Sequence, residues 1–330
     1  MIKRAKNDSR LFFLAWILFS LAFFTRVAFW FWTEFTQPGP LIAKTNVVIP
    51  VGSSIKAIAC RLMEAGVISH ISVFALVAEV TGKAGILKAG EFAFPAAVSQ
   101  QSVFEILERG IAVVHHLTVA EGLSSIQVVA IINATEGLNG EIHDIPLEGT
   151  LLPETYYYAY GDKRADTVNR MRIAMDKKVH DLWKKRDQNL PIANPKEALI
   201  LASIVEKETK VEAERPLVAS VFVNRLKFGM RLQADTTVVY GISRGKYFSR
   251  PLNKSDLREQ TPYNTYIIAG LPPGPIANPG VASIVAVLQP AKTDYLYFVA
   301  DGTGGHAFSN TLVGHNRNVR DWRKQQKKNI

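Results

Sequence analysis

The start of this sequence constrains its fold more than any other part. Residues 11–24 are apolar apart from Ser20, and after Thr25 and Arg26 the run resumes as Val27-Ala28-Phe29-Trp30-Phe31-Trp32. A helix of these 22 residues is about 33 Å long, enough to cross a hydrocarbon core of about 30 Å. A lone segment in lipid must satisfy its own backbone hydrogen bonds, so it has to be helical. Arg26 lies past the middle and reaches the far interface by snorkelling, where Phe29, Trp30, Phe31 and Trp32 form an aromatic belt. The alternative is a cleaved signal peptide, but the bulky aromatics leave no small-residue cleavage zone. An uncleaved anchor over residues 11–32 is the expectation. Lys3, Arg4, Lys6 and Arg10 precede it, which puts residues 1–10 in the cytoplasm by the positive-inside rule. The rest of the chain is then expected outside the inner (cytoplasmic) membrane, in the periplasm or beyond the cell.

That remainder is globular in composition. The full length of 330 residues, 48% of them hydrophobic, suits two or three folded units and excludes both global disorder and a polytopic membrane protein. The single cysteine, Cys60, excludes an intrachain disulfide framework and a cysteine-rich zinc site. The net charge of +10 is concentrated at the two ends, +3 in residues 1–10 and +5 in residues 317–330. A nucleic-acid binder carries its charge across a folded face, so no nucleic-acid partner is expected. Neither a glycine-rich phosphate loop nor a metal cluster occurs, so no cofactor and no metal are expected. His306 and His315 have no nearby third ligand and read as hydrogen-bonded polar groups, one in a hairpin and one at a helix start.

The pattern predicts an α+β protein. Residues 33–45, with Pro38-Gly39-Pro40, read as a non-helical linker. Residues 46–112 contain a strand at Val47-Val48-Ile49, helices near 55–63 and 69–81, and a returning strand over 87–94. This small β-α-α-β unit resembles the LysM-like module that binds cell-wall glycan; a plain spacer domain is the competing reading. Residues 113–330 are expected to form a mixed α+β catalytic domain. Within it, 162–188 reads as an amphipathic helix carrying Val168, Met171, Met175 and Val179 on one side.

The helix over 194–209 is the segment with chemistry in it. Asn194-Pro195 supplies a cap and a proline at the first helical position. Residues 199–205 are apolar almost all round, which predicts a buried helix. Glu208 continues the apolar stripe of Leu201, Ile204 and Val205, whereas Glu206 projects about 200° away. Desolvation raises a carboxyl pKa, and a protonated carboxyl near neutrality is what a general acid requires. Spacing leaves open that Glu208 is instead an apolar-edge carboxylate held by a structural arginine. Glu206, Glu212 and Glu214 read as solvated charges, with Glu212 available to Arg215.

The run Ile204-Val205-Glu206-Lys207-Glu208-Thr209 is similar to the signature helix of the endolytic murein transglycosylases, the YceG-like family. The resemblance extends through residues 214–241, 261–280 and 293–316, and more loosely through 147–158. It implies that Glu208 is the catalytic acid/base of a lytic transglycosylase. Such an enzyme cleaves the MurNAc–GlcNAc bond of nascent peptidoglycan without water and leaves 1,6-anhydroMurNAc ends. Peptidoglycan strands and the membrane would be its partners, along with peptidoglycan synthases or division proteins. Gln233, Tyr263, Asn264 and Tyr266 fall in matched motifs and offer amide and aromatic groups suited to sugars. Asp235 or Asp256 remains open as a second carboxylate. A muramidase-type hydrolase and a non-catalytic glycan-binding scaffold are the competing functions. Two positions depart from the family pattern. Thr236 stands where proline is common and Thr150 where an aromatic is usual, and neither is expected to touch Glu208.

Overall fold

A computed structural model describes residues 2–328, apart from the side chains of residues 2–11, 84, 327 and 328. The basic side chains expected to orient the N-terminus therefore lie outside the described residues. The chain forms two compact units, one of residues 1–115 with 159–161 and the other of 116–158 with 162–330.

The first unit begins with helix α1 (Ile2–Thr36). Its segment Phe12–Thr36 is long and apolar enough to cross a membrane and is not buried by the protein. The helix outlasts the predicted span end at residue 32 and takes in the first four linker positions. Thr33 and Thr36 return their hydroxyls to the carbonyls of Trp30 and Trp32 at 2.8 Å, and Pro38 then forces the preceding backbone out of the helical region. Strand β1 (Thr45–Ile49), helices α2 (Ile55–Glu64) and α3 (Ile71–Val80), strand β2 (Gly90–Phe94) and helix α4 (Gln100–Arg109) follow. The strands pair antiparallel, with Val47 opposite Phe92 and Ile49 opposite Gly90. Ser54 caps α2 by accepting from the Ala57 amide. The returning strand is shorter than expected because the Lys88 amide donates to Leu107 O at the end of α4, and the chain enters β2 only at Gly90, with φ +141°. Phe74, Phe92, Phe94 and Leu62 fill the core, and Phe74 stacks on Phe104 with centroids 4.3 Å apart.

Strands β3 (Val114–Thr118) and β4 (Thr155–Ala159) pair with each other, and helix α5 (Ser125–Ala134) lies between them in sequence. The pattern gave no strand at β4, whose tyrosines alternate between core and surface. Helix α6 (Arg164–Trp183) is shorter at both ends than the predicted 162–188. Its first residue, Arg164, donates to the carbonyls of Ile132, Thr135, Leu138 and Gly140 and so closes the open end of α5.

The main core of the second unit is built on α6 with helices α7 (Pro195–Glu208), α8 (Arg215–Lys227) and α10 (Val281–Leu288), and α9 (Asp235–Ser243) packs against it through Tyr240. Hairpin β5 (Tyr297–Ala300) with β6 (His306–Ser309) and helix α11 (Leu312–Lys328) complete the chain. Asn194 caps α7, and every residue from 200 to 205 is buried. Ser203 satisfies its buried hydroxyl by donating to Ile200 O at 2.7 Å and accepting from the Ile276 amide at 2.9 Å.

Candidate active site

Glu208 is the last residue of α7, so its backbone is held by a helix buried from residue 200 to 205 while its side chain meets the elements beyond. Helix α9 supplies the nearest of these. The Thr236 hydroxyl donates to Glu208 Oε1 at 2.7 Å across 28 positions of sequence. This corrects the expectation that Thr236 does not touch Glu208. Proline there would have no hydroxyl to offer.

Burial is the largest influence on the Glu208 carboxyl and pushes its pKa up to about 7. The Thr236 hydroxyl and amide pull it down, the negative charge of Asp235 pushes it up, and His306 pulls it down. Asp235 opens α9 and accepts from the Tyr266 hydroxyl at 2.6 Å. Burial and then that hydrogen bond raise the Tyr266 pKa, to which the charges of Asp235 and Glu208 also contribute. One of the two open second carboxylates, Asp235, thus stands within electrostatic reach of Glu208. The other, Asp256, is held by the Arg250 guanidinium, which takes its carboxyl down to about 2.

Hairpin β5–β6 contributes His306, whose amide and Nδ1 bond the two oxygens of Glu214 at 2.8 and 2.7 Å. Glu214 is therefore not a solvated charge. Desolvation works against its ionisation, but the bonds from His306 win and lower its pKa. Glu206 is not solvated either. Its side chain is 6% exposed and 3.6 Å from Arg215, and it accepts from the Gly280 amide and the Ser283 hydroxyl at the start of α10. The projection was right that Glu206 faces away from Glu208, but that direction leads into the protein. Arg215 pairs with Glu206 and Glu121, the latter in place of the expected Glu212.

The four expected sugar contacts separate. Tyr266 stands at the site through Asp235. Gln233 is exposed and has a left-handed backbone with φ +51°, immediately before α9. That conformation is unfavourable for glutamine, and bonds from Gln233 N to Thr265 O and from Ala234 N to Thr265 Oγ1 hold the turn. Tyr263 packs on Tyr240 with centroids 4.8 Å apart, and the Arg244 guanidinium lies over its ring. Asn264 is a correction. It is fully buried, its amide donates to Leu257 O and Glu259 O, and its oxygen accepts from Tyr266 N. Both amide hydrogens are taken and the whole side chain is shut off from solvent, so Asn264 shapes the loop that carries Tyr266.

His306 is hydrogen-bonded in a hairpin, as its sequence context implied. His315 is not fully satisfied, because its buried Nδ1 has no partner although its ring stacks on Tyr297 at 5.3 Å. Thr150 turns its hydroxyl back to Leu147 O at 2.7 Å.

A second carboxyl in the unit, Glu148, is also raised by burial. Its oxygens are occupied by the Ser125 amide at 2.7 Å, the Tyr240 hydroxyl at 3.2 Å and the Asn278 amide at 3.3 Å, which marks it as a structural link between loops. Glu208 has the properties of an acid/base. It is desolvated, poised near neutrality and bonded by the Thr236 hydroxyl.

Residues 47–321 match the YceG-like family. The chain is 33% identical over 323 residues to an endolytic murein transglycosylase of Bacillus subtilis, covering 88% of each protein. It is 29% identical over 320 residues to a protein of the same name from Streptococcus pneumoniae, covering 83% of this chain and 57% of the other. The crystal structure of a yceG-like protein from Listeria monocytogenes superposes with a TM-score of 0.54 at 32% identity, covering 83% of this chain and 98% of that one.

Proposed function

The chain belongs to the YceG-like family, and on that premise we propose that it is a lytic transglycosylase of peptidoglycan with Glu208 as its catalytic acid/base. One observation carries the site assignment. Burial holds the Glu208 carboxyl near pKa 7, so both its protonated and its ionised form are accessible in one catalytic cycle. The protonated carboxyl gives its proton to the oxygen leaving C1 of MurNAc as the glycosidic bond breaks. The resulting carboxylate then takes the proton of the MurNAc C6 hydroxyl while that oxygen bonds to C1. Atoms and charge balance without water, and a 1,6-anhydro end remains. Tyr266 and Gln233 flank the entrance to α9 and serve as sugar contacts. Neither a cofactor nor a metal is required.

Helix α1 anchors the enzyme in the cytoplasmic membrane with its N-terminus inside. Residues 46–112 serve as a LysM-like glycan-binding module and residues 113–330 as the catalytic domain, working on nascent strands beside the machinery that makes them.

Asp235 favours a second reading. A second carboxylate near the acid is what a muramidase uses to activate water or trap the sugar. Its bond to Tyr266 supports a supporting role instead. Mass spectrometry of purified glycan strands digested by the full chain separates the two. Anhydro ends are expected, and reducing ends would establish the hydrolase.

The pH profile should report Glu208 directly. Cleavage by a general acid is expected to fall as pH rises through about 7. Because the Thr236 hydroxyl bonds the ionised form and lowers the pKa, Thr236→Val is expected to move that alkaline limb to higher pH. An unmoved limb would mean that the limb belongs to another group.

A further inference from the structure

Helix α3 carries more apolar surface than its own unit covers. Val73, Phe74 and Ala78 enter the core, but Leu76 remains 44% and Val80 77% exposed. These two side chains form one wall of an apolar groove of about 400 Å³, and Phe31, Trp32 and Phe35 of α1 help form the other.

The two helices are fixed to each other in this unit. The Trp30 ring meets His70, at the start of α3, with centroids 5.8 Å apart. Glu34 lies 3.6 Å from His70 Nε2, and Phe35 packs against Phe104. The groove therefore has a defined depth relative to α1.

That depth follows from helix length. The segment Phe12–Thr36 has 25 residues and is about 37 Å long, more than a hydrocarbon core of about 30 Å. Its last turns consequently lie at the boundary between acyl chains and headgroups, the level that Trp30 and Trp32 favour. Side chains that share a groove with residues 31–35 lie at that level too. We infer that the edge of α3 bearing Leu76 and Val80 is a bilayer-contacting surface, seated in the acyl–headgroup boundary beside the end of α1. The occupant of the groove is lipid, and the first unit is attached to the membrane at two places.

The inference rests on reading α1 as a membrane anchor, and the test separates the two claims. The full chain with Cys60→Ser is reconstituted in phosphatidylcholine–phosphatidylglycerol vesicles. It carries one fluorophore-labelled cysteine at a time, from Phe24→Cys, Val80→Cys or Val51→Cys. Val80 and Val51 are both exposed, so these changes disturb little packing. Deep spin-labelled lipid should quench the label at position 24. Shallow spin-labelled lipid should quench the label at 80 several-fold more than that at 51, with 80 shielded from aqueous iodide. If 24 is quenched by lipid while 80 is as open to iodide as 51, this proposal fails and the anchor stands. If 80 is shielded from iodide but not quenched by lipid, protein covers the groove and the proposal also fails. If 24 is itself open to iodide, both claims fall.

Discussion

Glu208→Gln is expected to reduce strand cleavage by about 10²–10⁴-fold, the range for a positioned acid/base. The upper end is expected because one carboxyl both donates and removes a proton. Glutamine has nearly the same shape and its oxygen still accepts from Thr236, so the fold should survive. The sign of the stability change follows from linkage. A carboxyl whose folded pKa is raised to about 7 binds more protons in the folded state than in the unfolded state between roughly pH 4.5 and 7, so stability falls as pH rises across that window. The glutamine variant has no such loss and should be at least as stable as the parent at pH 8. Glycan digestion followed by mass spectrometry, with thermal unfolding at pH 5 and 8, checks both parts. Full activity in the variant would remove Glu208 from the mechanism.

Glu206→Gln gives the contrast. Glu206 holds Arg215 and the first turn of α10, so its neutralisation should cost about 1–3 kcal/mol of stability by leaving a buried partner underbonded. Cleavage per folded molecule should change far less than in Glu208→Gln.

The largest expected loss of stability comes from Phe222→Ala. Phe222 on α8 is 1% exposed and meets Phe298 of β5 edge-on, with centroids 5.8 Å apart and planes at 90°. Truncation removes the ring's transfer energy, leaves a cavity and breaks an aromatic pair, for a total of about 3–5 kcal/mol. For a unit of this size that corresponds to a fall in Tm on the order of 10 °C. The same contact fastens the hairpin that carries His306 behind the site. Thermal unfolding of the detergent-solubilised chain measures the effect, and a shift of only one or two degrees would show that the core closes around the missing ring.

Much of this protein is legible in local patterns because its physics is local. The apolar run at 11–32 dictates a helix long enough for a membrane, and capping plus periodicity place α7 and turn Glu208 onto its apolar stripe. The helical period also separates Glu206 from Glu208. A period gives direction around one helix, however, and says nothing about what lies there. Glu206 points away from the site and into Arg215 and α10, where solvent was expected. Asn264 has the right chemistry for a sugar, but chain folding commits its amide and oxygen to Leu257, Glu259 and Tyr266.

The site itself is assembled by long-range contacts. Thr236 reaches Glu208 only because α9 starts beside the end of α7, and His306 comes within reach because β5, paired with β6, packs on α8. The sequence by itself placed Glu208 on the apolar stripe of its helix and Glu206 on another face, since helical spacing and apolar neighbours are written side by side in the chain. Only the tertiary structure decided which hydroxyl and which charges surround that carboxyl, because those partners are set by the packing of segments that no sequence period connects.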